Sequence, residues 1–513
     1  MPRPGRSLAI AVASLALAGC GSTVNGVPNQ QSLANGLSDG LSTAGGTTAE
    51  TGVGSAAAND GATLPASTVS TGATTTQGTD AATSPGTSSS GVTSPSVTPT
   101  KPIVIGITYS KDAGAGLAAI GASGAGTLGD QLAYAKIVVD DANVHGGFHG
   151  RKIQPVYFGY DPNPGAPSIP QQDQTACATF LDDNHVELAM VNLAGESLIT
   201  CLQKRKIPMV AEGNIAGLSA TFYKQNPSLF EFGAFNLDRR AGEQVRALKR
   251  QGYFTGWNTS KGAAGNAPVK VGVIAYDSPS WVDATKNSLV PALAAAGVSK
   301  PEVVFVATHD SYSNLTAMQS QIQAAVLNFK AHGVTHVIIS DNNGVSTLFF
   351  MTNASNQGYR PRYGVNSGNN MELMSRLADK SQLEGAIGIG WNPLMDLGKA
   401  NEGGHYANAG RKACDALMSA HGQSGSGYNE GFALAACSTM TVAKSRYDTL
   451  QTLSSGAFLQ AMAQLGGSYA PLITPAAYLS ATRHDGLGGI RDYKFDSGCK
   501  CMVYASKVVL LSR

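Results

Sequence analysis

The sequence predicts an α/β protein of two doubly wound, parallel-sheet lobes, preceded by a long segment that cannot build a core. Two observations carry the prediction. Short apolar runs rich in β-branched residues alternate with helical stretches of 10–20 residues, and that alternation implies parallel sheets with right-handed crossovers. It then occurs a second time, which implies two such lobes in succession. A length of 513 residues agrees, because it exceeds what one ordinary domain holds.

The chain opens with an export signal. Arg3 and Arg6 give a positive start, and Leu8 to Leu17 form an apolar run too short to span a bilayer. The run closes on Leu17-Ala18-Gly19-Cys20, which resembles the bacterial lipobox. That resemblance implies a signal peptide over residues 1–19 and a diacylglyceryl group on the Cys20 thiol. Two or more acyl chains hold a protein stably at a membrane. The expected location is therefore extracytoplasmic, lipid-anchored to the bacterial cell membrane. An ordinary signal peptide followed by an unrelated cysteine is the alternative.

Residues 20–100 are predicted to be a disordered linker. From Gly21 to Thr100 there is no aromatic residue, no Lys or Arg and only four acids. Such a composition buries too little apolar surface to offset its ordering entropy. As a flexible coil it would span roughly 50 Å.

Order is expected from Lys101. A buried strand is read at Ile103–Ile107, a helix at about Leu128–Asn143, and strands at Ile153–Phe158, Leu188–Val191, Pro208–Ala211 and Leu229–Phe232. Helices fall between them at about Gln171–Asp183 and Glu196–Arg205. The second series has helices at Leu237–Gln251, Ser280–Ala296, Asn314–His332 and Gly344–Gln357. Its strands are Lys270–Ala275, Glu302–Ala307, His336–Ser340 and Arg362–Val365. An apolar stretch, Gly385–Trp391, precedes a mainly helical region to about Leu465 and a strand-like tail, Met502 to Leu511.

The charge balance is near neutral. Removing Arg3 and Arg6 leaves 34 basic residues against 34 acidic ones, so there is no electrostatic footprint for nucleic acid. Export places the remaining cysteines in an oxidising compartment. Six of them allow 15 pairings; spacing favours Cys177–Cys201, Cys414–Cys437 and Cys499–Cys501. Closing a loop of about 25 residues is worth on the order of 3 kcal/mol by chain-entropy arguments.

Several motifs look like chemistry and read more plainly otherwise. Gly124-Ala125-Gly126-Thr127-Leu128-Gly129 matches a dinucleotide fingerprint by letters, but the preceding strand ends too early to deliver it. His145 and His149 stand four apart, yet Gly146, Gly147 and Gly150 make their segment a turn. Neither a metal site nor a cofactor is expected. Ser197 has no base partner in the sequence, and no catalytic residue is assigned.

The order of elements resembles the type I periplasmic-binding fold, in particular the branched-chain amino-acid (Leu/Ile/Val) binding receptors of ABC transporters. Ile103-Val104-Ile105-Gly106-Ile107 is similar to that group's first strand. Asn143-Val144-His145-Gly146-Gly147-Phe148-His149-Gly150-Arg151-Lys152-Ile153 resembles its helix-to-strand turn, N-x-x-G-G-x-x-G-R-K-I. The spacing of Cys177 and Cys201 is like that of its first-lobe disulfide, and Asp277–Ala284 and Ser340–Gly344 resemble its second-lobe site loops. The likeness covers about residues 101–495. It implies a first lobe from 101–235 and 395–485, a second from 236–394 and 486–513, and a membrane permease as partner.

In open α/β sheets a ligand sits outside the carboxyl ends of the strands. Reading those ends gives Ser110, Glu196, Ser197, Glu212, Gly213, Asp277, Asp341, Asn342 and Asn366 as ligand contacts, with Trp281 as an apolar wall and Trp391 as a second candidate. The short polar residues among them are also preferred helix N-caps, so they carry both readings. The group's usual Ser/Thr cluster for a ligand carboxylate is replaced by Glu196 and Glu212. Two acids would repel a carboxylate, so the expected solute is neutral or cationic and polar, with a branched-chain amino acid as runner-up. A sensory module of the same fold, or an enzyme on this scaffold, are the alternative functions.

Overall fold

Alternation at period two decides which side of a strand is buried, and in the central strands both sides are. The computed structural model describes residues 101–112, 114, 129–163, 165–212, 217–233, 236–308, 312–397, 408–423 and 428–512. The leader, Cys20, the linker, most of the 124–129 glycine motif and Gly213 lie outside these residues.

The first lobe runs β1 (Ile103–Ser110), α1 (Gln131–Val144), β2 (Ile153–Tyr160), α2 (Ile169–Ala178), β3 (Leu188–Val191), α3 (Glu196–Lys204), β4 (Met209–Ala211), α4 (Ala220–Gln225) and β5 (Leu229–Glu231). Its five strands are parallel in the order β2-β1-β3-β4-β5. In β3, Leu188 and Met190 face one core while Ala189 and Val191 face the other. A sheet buried on both faces calls for strands that are apolar throughout.

The chain crosses to the second lobe before α5 (Leu237–Arg250), which Asn236 caps by accepting from the Arg239 N–H. A two-stranded ribbon, β6 (Trp257–Asn258) and β7 (Ala263–Ala264), precedes β8 (Val271–Tyr276). There follow α6 (Pro279–Ala284), α7 (Val290–Ala295), β9 (Glu302–Val306), α8 (Tyr312–Ala331), β10 (His336–Ile339), α9 (Val345–Asn356) and β11 (Arg362–Asn366). Two short helices, α10 (Met371–Leu377) and α11 (Lys380–Leu383), lead to β12 (Ile387–Gly390).

The chain then returns. After α12 (Pro393–Asp396), helices α13 (Ala409–Ala420), α14 (Tyr428–Tyr447) and α15 (Ser455–Ala463) pack with α1 on the first sheet, in one core cluster that holds Ile105, Met190, Leu434 and Phe458. The final segment adds β13 (Gly489–Asp496), β14 (Cys501–Tyr504) and β15 (Val509–Leu510) to the second sheet, whose main order is β14-β13-β12-β11-β10-β8-β9. This sheet departs from the all-parallel expectation: β13, β14 and β15 are antiparallel. Short turns can join antiparallel neighbours, whereas parallel ones need a crossover. The four residues between β13 and β14 are too few for that.

The glycine-rich turn is a structural device. Gly147 lies at φ +65°, and a Cβ there would stand 2.0 Å from the Arg151 carbonyl oxygen. Arg151 is buried and donates to both oxygens of Glu187, to Tyr447 and to the carbonyls of Lys101 and Pro102. It ties the start of β1 to α14. The structure bonds Cys177 to Cys201 between α2 and α3, Cys414 to Cys437 between α13 and α14, and Cys499 to Cys501 at the β13–β14 turn.

Candidate functional site

At the carboxyl edge of the first sheet the chain leaves β1 at Ser110, β3 at Asn192 and β4 at Glu212, on three neighbouring strands. The Ser110 N–H donates to Gln131 Oε1 at 2.9 Å, which draws the first turn of α1 to the same edge. Gln131 Nε2 and Asn192 Oδ1 are buried without a hydrogen-bond partner among the described residues. Both carboxylate oxygens of Glu212, a residue 1% exposed, are buried with only poorly aligned contacts, to Ser438 and the Ile473 N–H. Burial pushes the Glu212 pKa up to about 8; Ser438 and the Ile473 N–H pull it down, and Glu231 pushes it further up. At neutral pH this acid holds its proton.

The second sheet's edge is built differently. Asp341 is fully buried, and its carboxylate accepts from Tyr276 at 2.8 Å, Ser346 at 2.7 Å, and the N–H and hydroxyl of Thr347 at 3.0 Å each. The Asn342 N–H adds a bond of 2.8 Å. Asn366 is likewise engaged: Nδ2 donates to Gln244 at 3.0 Å, and Oδ1 accepts from the Gly368 N–H at 2.8 Å. Both were expected as ligand contacts, but their polar groups serve the second lobe's own loops. Asn342 Oδ1 and Asn392 Oδ1, in contrast, are buried with no partner among the described residues.

Arg240, on α5, is a feature of this edge that the sequence did not disclose. It is 6% exposed, donates to the Asp341 carbonyl at 3.0 Å and to Ser340 Oγ at 3.3 Å, and stacks over Trp281 with 4.8 Å to the ring centroid. Burial lowers its pKa to about 10, with Asp341 and Tyr276 acting in the opposite direction. It stays charged at neutral pH. In the sequence it sits among Asp238, Arg239 and Glu243, where a solvated helix face is the ordinary reading.

The two edges touch. Glu196, the first residue of α3, accepts from the hydroxyl and the N–H of Ser280 in the second lobe; burial raises its pKa and these bonds offset part of that rise. Gly217 approaches Trp281 so closely that a Cβ would stand 2.4 Å from its ring. Trp281 is therefore packed, 3% exposed, with an edge-on contact to Tyr276. Trp391 packs with Ile389, Leu487 and Ile490. Ser197 and Asp277 face solvent, and Ser110 is half-buried. Among the described residues there is no group of three His, Cys, Asp or Glu placed to hold a metal ion, and no helix long and apolar enough to cross a membrane.

Behind the edges, the first and third crossings are fastened together. Glu231 bridges Asp485, the Asn236 N–H donates to Asp485 at 3.0 Å, and Arg239 pairs with the same carboxylate while donating to the Leu487 carbonyl.

No protein-family model and no curated protein matches the chain. Solved structures do. A substrate-binding protein of an ABC transporter from Aeropyrum pernix superposes with a TM-score of 0.58 at 12% identity, covering 81% of this chain and 97% of that one. A leucine-binding protein from Thermotoga maritima gives 0.54 at 11%, covering 79% and 98%. An ABC-transporter solute-binding protein from R. palustris, in complex with 4-hydroxybenzoate, gives 0.54 at 14%, covering 80% and 97%. At these identities the likeness shows the fold, and the fold is that of the type I periplasmic binding proteins.

Proposed function

We propose that this chain is an extracytoplasmic solute-binding lipoprotein, which closes two lobes on a small polar solute and delivers it to an ABC-type permease. The carrying observation is the set of buried, unpartnered polar atoms at the strand ends of both lobes, beside a direct Glu196–Ser280 contact between those lobes. A buried polar group without a partner costs about 1–3 kcal/mol, and a ligand that supplies the partner recovers that energy on binding. Structural neighbours whose names describe substrate or solute binding support the same reading.

The chemistry of the edge narrows the ligand. Asn192, Asn342 and Asn392 present acceptors, Gln131 presents a donor, and Glu212 accepts from a cationic solute once it gives up its proton. The favoured solute is rich in donors or positively charged: an amide, a polyol or an amino compound. The lobe boundaries proposed are 101–235 with 395–485, and 236–394 with 486–513; the passage of the chain between the two sheets supports them. Cys20 is the proposed lipid anchor, and replacing it with Ser releases the protein from membranes on alkaline wash; retention would overturn the anchor.

The ligand itself is best sought in protein purified without refolding. Mass spectrometry after denaturation should recover a stoichiometric small polar compound that, added back, raises the melting temperature of stripped protein. If neither a co-purifying compound nor any member of an amine, amide, polyol and amino-acid panel shifts the melting temperature, the binding reading fails.

A further inference from the structure

The three disulfides differ in what they join. Cys177–Cys201 and Cys414–Cys437 each link two packed helices across 24 and 23 residues of chain. Cys414 and Cys437 are buried in the first-lobe core. Cys499–Cys501 closes a separation of only two residues, at a hairpin turn whose strands are already held by the Asp496–Cys501 pair of the β-ladder. A cross-link stabilises mainly by restricting the unfolded chain, and that effect grows with loop length. This bond therefore has little fold to hold.

It is also the most exposed of the three, since Cys177 and Cys201 are both half-buried and Cys414 and Cys437 buried. Residues 497–500 are all exposed, and Cys501 is half-buried. Between the two cysteines stands Lys500, at φ +53°, a left-handed conformation that a side chain other than glycine seldom adopts. A lysine next to a cysteine favours the thiolate, which makes the sulfur a better leaving group. The Asp496 carboxylate is engaged by the Gly498 N–H at 2.7 Å.

We propose that the Cys499–Cys501 turn is a thiol-exchange site, distinct from the ligand cleft, at which an external thiolate opens the bond while the two helix-joining disulfides stay closed. The thiolate attacks the exposed Cys499 sulfur, a new S–S bond forms there, and Cys501 leaves as a thiolate. A second thiol of the same reagent then displaces Cys499. Two electrons pass from the dithiol to the protein, the reagent becomes a disulfide, and Cys499 and Cys501 take up the two protons.

The test is graded reduction of the intact protein with dithiothreitol, trapping with N-ethylmaleimide, and peptide mapping. Cys499 and Cys501 should be alkylated at least tenfold faster than the other four, with the melting transition still present in the doubly alkylated product. Lys500→Gln should slow that first phase severalfold at fixed pH without moving the melting temperature. Simultaneous reduction of all three bonds, or slower opening of Cys499–Cys501, overturns the proposal; an unchanged rate in K500Q overturns the role given to Lys500.

Discussion

Glu212 and Asp341 are both buried acids just past the carboxyl end of a central strand, one in each lobe, yet they live opposite lives. Asp341 receives five hydrogen bonds of 2.7–3.0 Å from its own lobe. Glu212 has none of good geometry among the described residues, and burial pushes it up to about 8. The difference separates frame from site. A carboxylate whose acceptor capacity is filled at home shapes a loop and has little left for a ligand. One that burial has isolated is a cost to the folded state until a partner arrives.

The largest effect expected from breaking this contrast is at Asp341. Asp341→Ala would strand Tyr276, Ser346 and Thr347 and take the counter-charge of the carboxylate from the buried Arg240, and should cost about 3–5 kcal/mol of stability, read as a lower urea midpoint. A wild-type midpoint would return Asp341 to the cleft.

Glu212→Gln comes next. It should weaken a cationic solute at least tenfold, about 1.4 kcal/mol, with the fold intact. The pH dependence has a definite sign. The folded state holds this proton to higher pH than the unfolded chain does, so stability is greatest below the ordinary value of 4.5 and declines as the pH rises toward 8. Asp396, pushed up to about 7 by burial against the pull of Ser367 and Tyr504, adds a decline of the same sign up to about that pH. Melting temperature against pH should therefore fall from pH 5 to 9, and fall less in E212Q. Binding an ammonium solute at pH 7 should release a proton in the wild type and none in E212Q, as calorimetry in two buffers of different ionisation enthalpy would read.

The smallest effect sharpens the comparison where the edges meet. Glu196→Ala removes the two bonds from Ser280 and should lower the closed fraction by about fivefold, roughly 1 kcal/mol. Small-angle scattering of ligand-free protein would show a larger radius of gyration. An unchanged radius means that the contact at Gly217 and Trp281 holds the lobes by itself.

How much of this the sequence disclosed depends on how local the signal was. Ile103–Ile107 or His336–Ser340 could be read directly, because a strand buried on both faces is apolar residue by residue. β13 could not, since Arg491, Asp492 and Lys494 interrupt its apolar positions; Asp492 is paired with Arg250, 242 residues away. Among the described residues the helical region to Leu465 resolves into α13, α14 and α15, with Gly422 at φ +71° just beyond the end of α13. Site positions could be found by counting strand ends, but their roles could not. Whether Asp341 caps its loop or meets a ligand turns on Tyr276, and the donors that reach Glu212 among the described residues, Ser438 and the Ile473 N–H, come more than 200 residues later in the chain.

The late return of the chain to the first sheet has a consequence for how the protein is made. One face of that sheet is covered by α13, α14 and α15, so when β5 has been synthesised the strands exist but their apolar lid does not. A nascent chain that stops short of Tyr428 presents Ile105, Met190, Val210 and Phe230 without Leu434, Ala436 and Met440 to cover them. The first lobe cannot finish before the second has been spelled out. Such a chain stays loose, and becomes protease-resistant only after α13, α14 and α15 have been made.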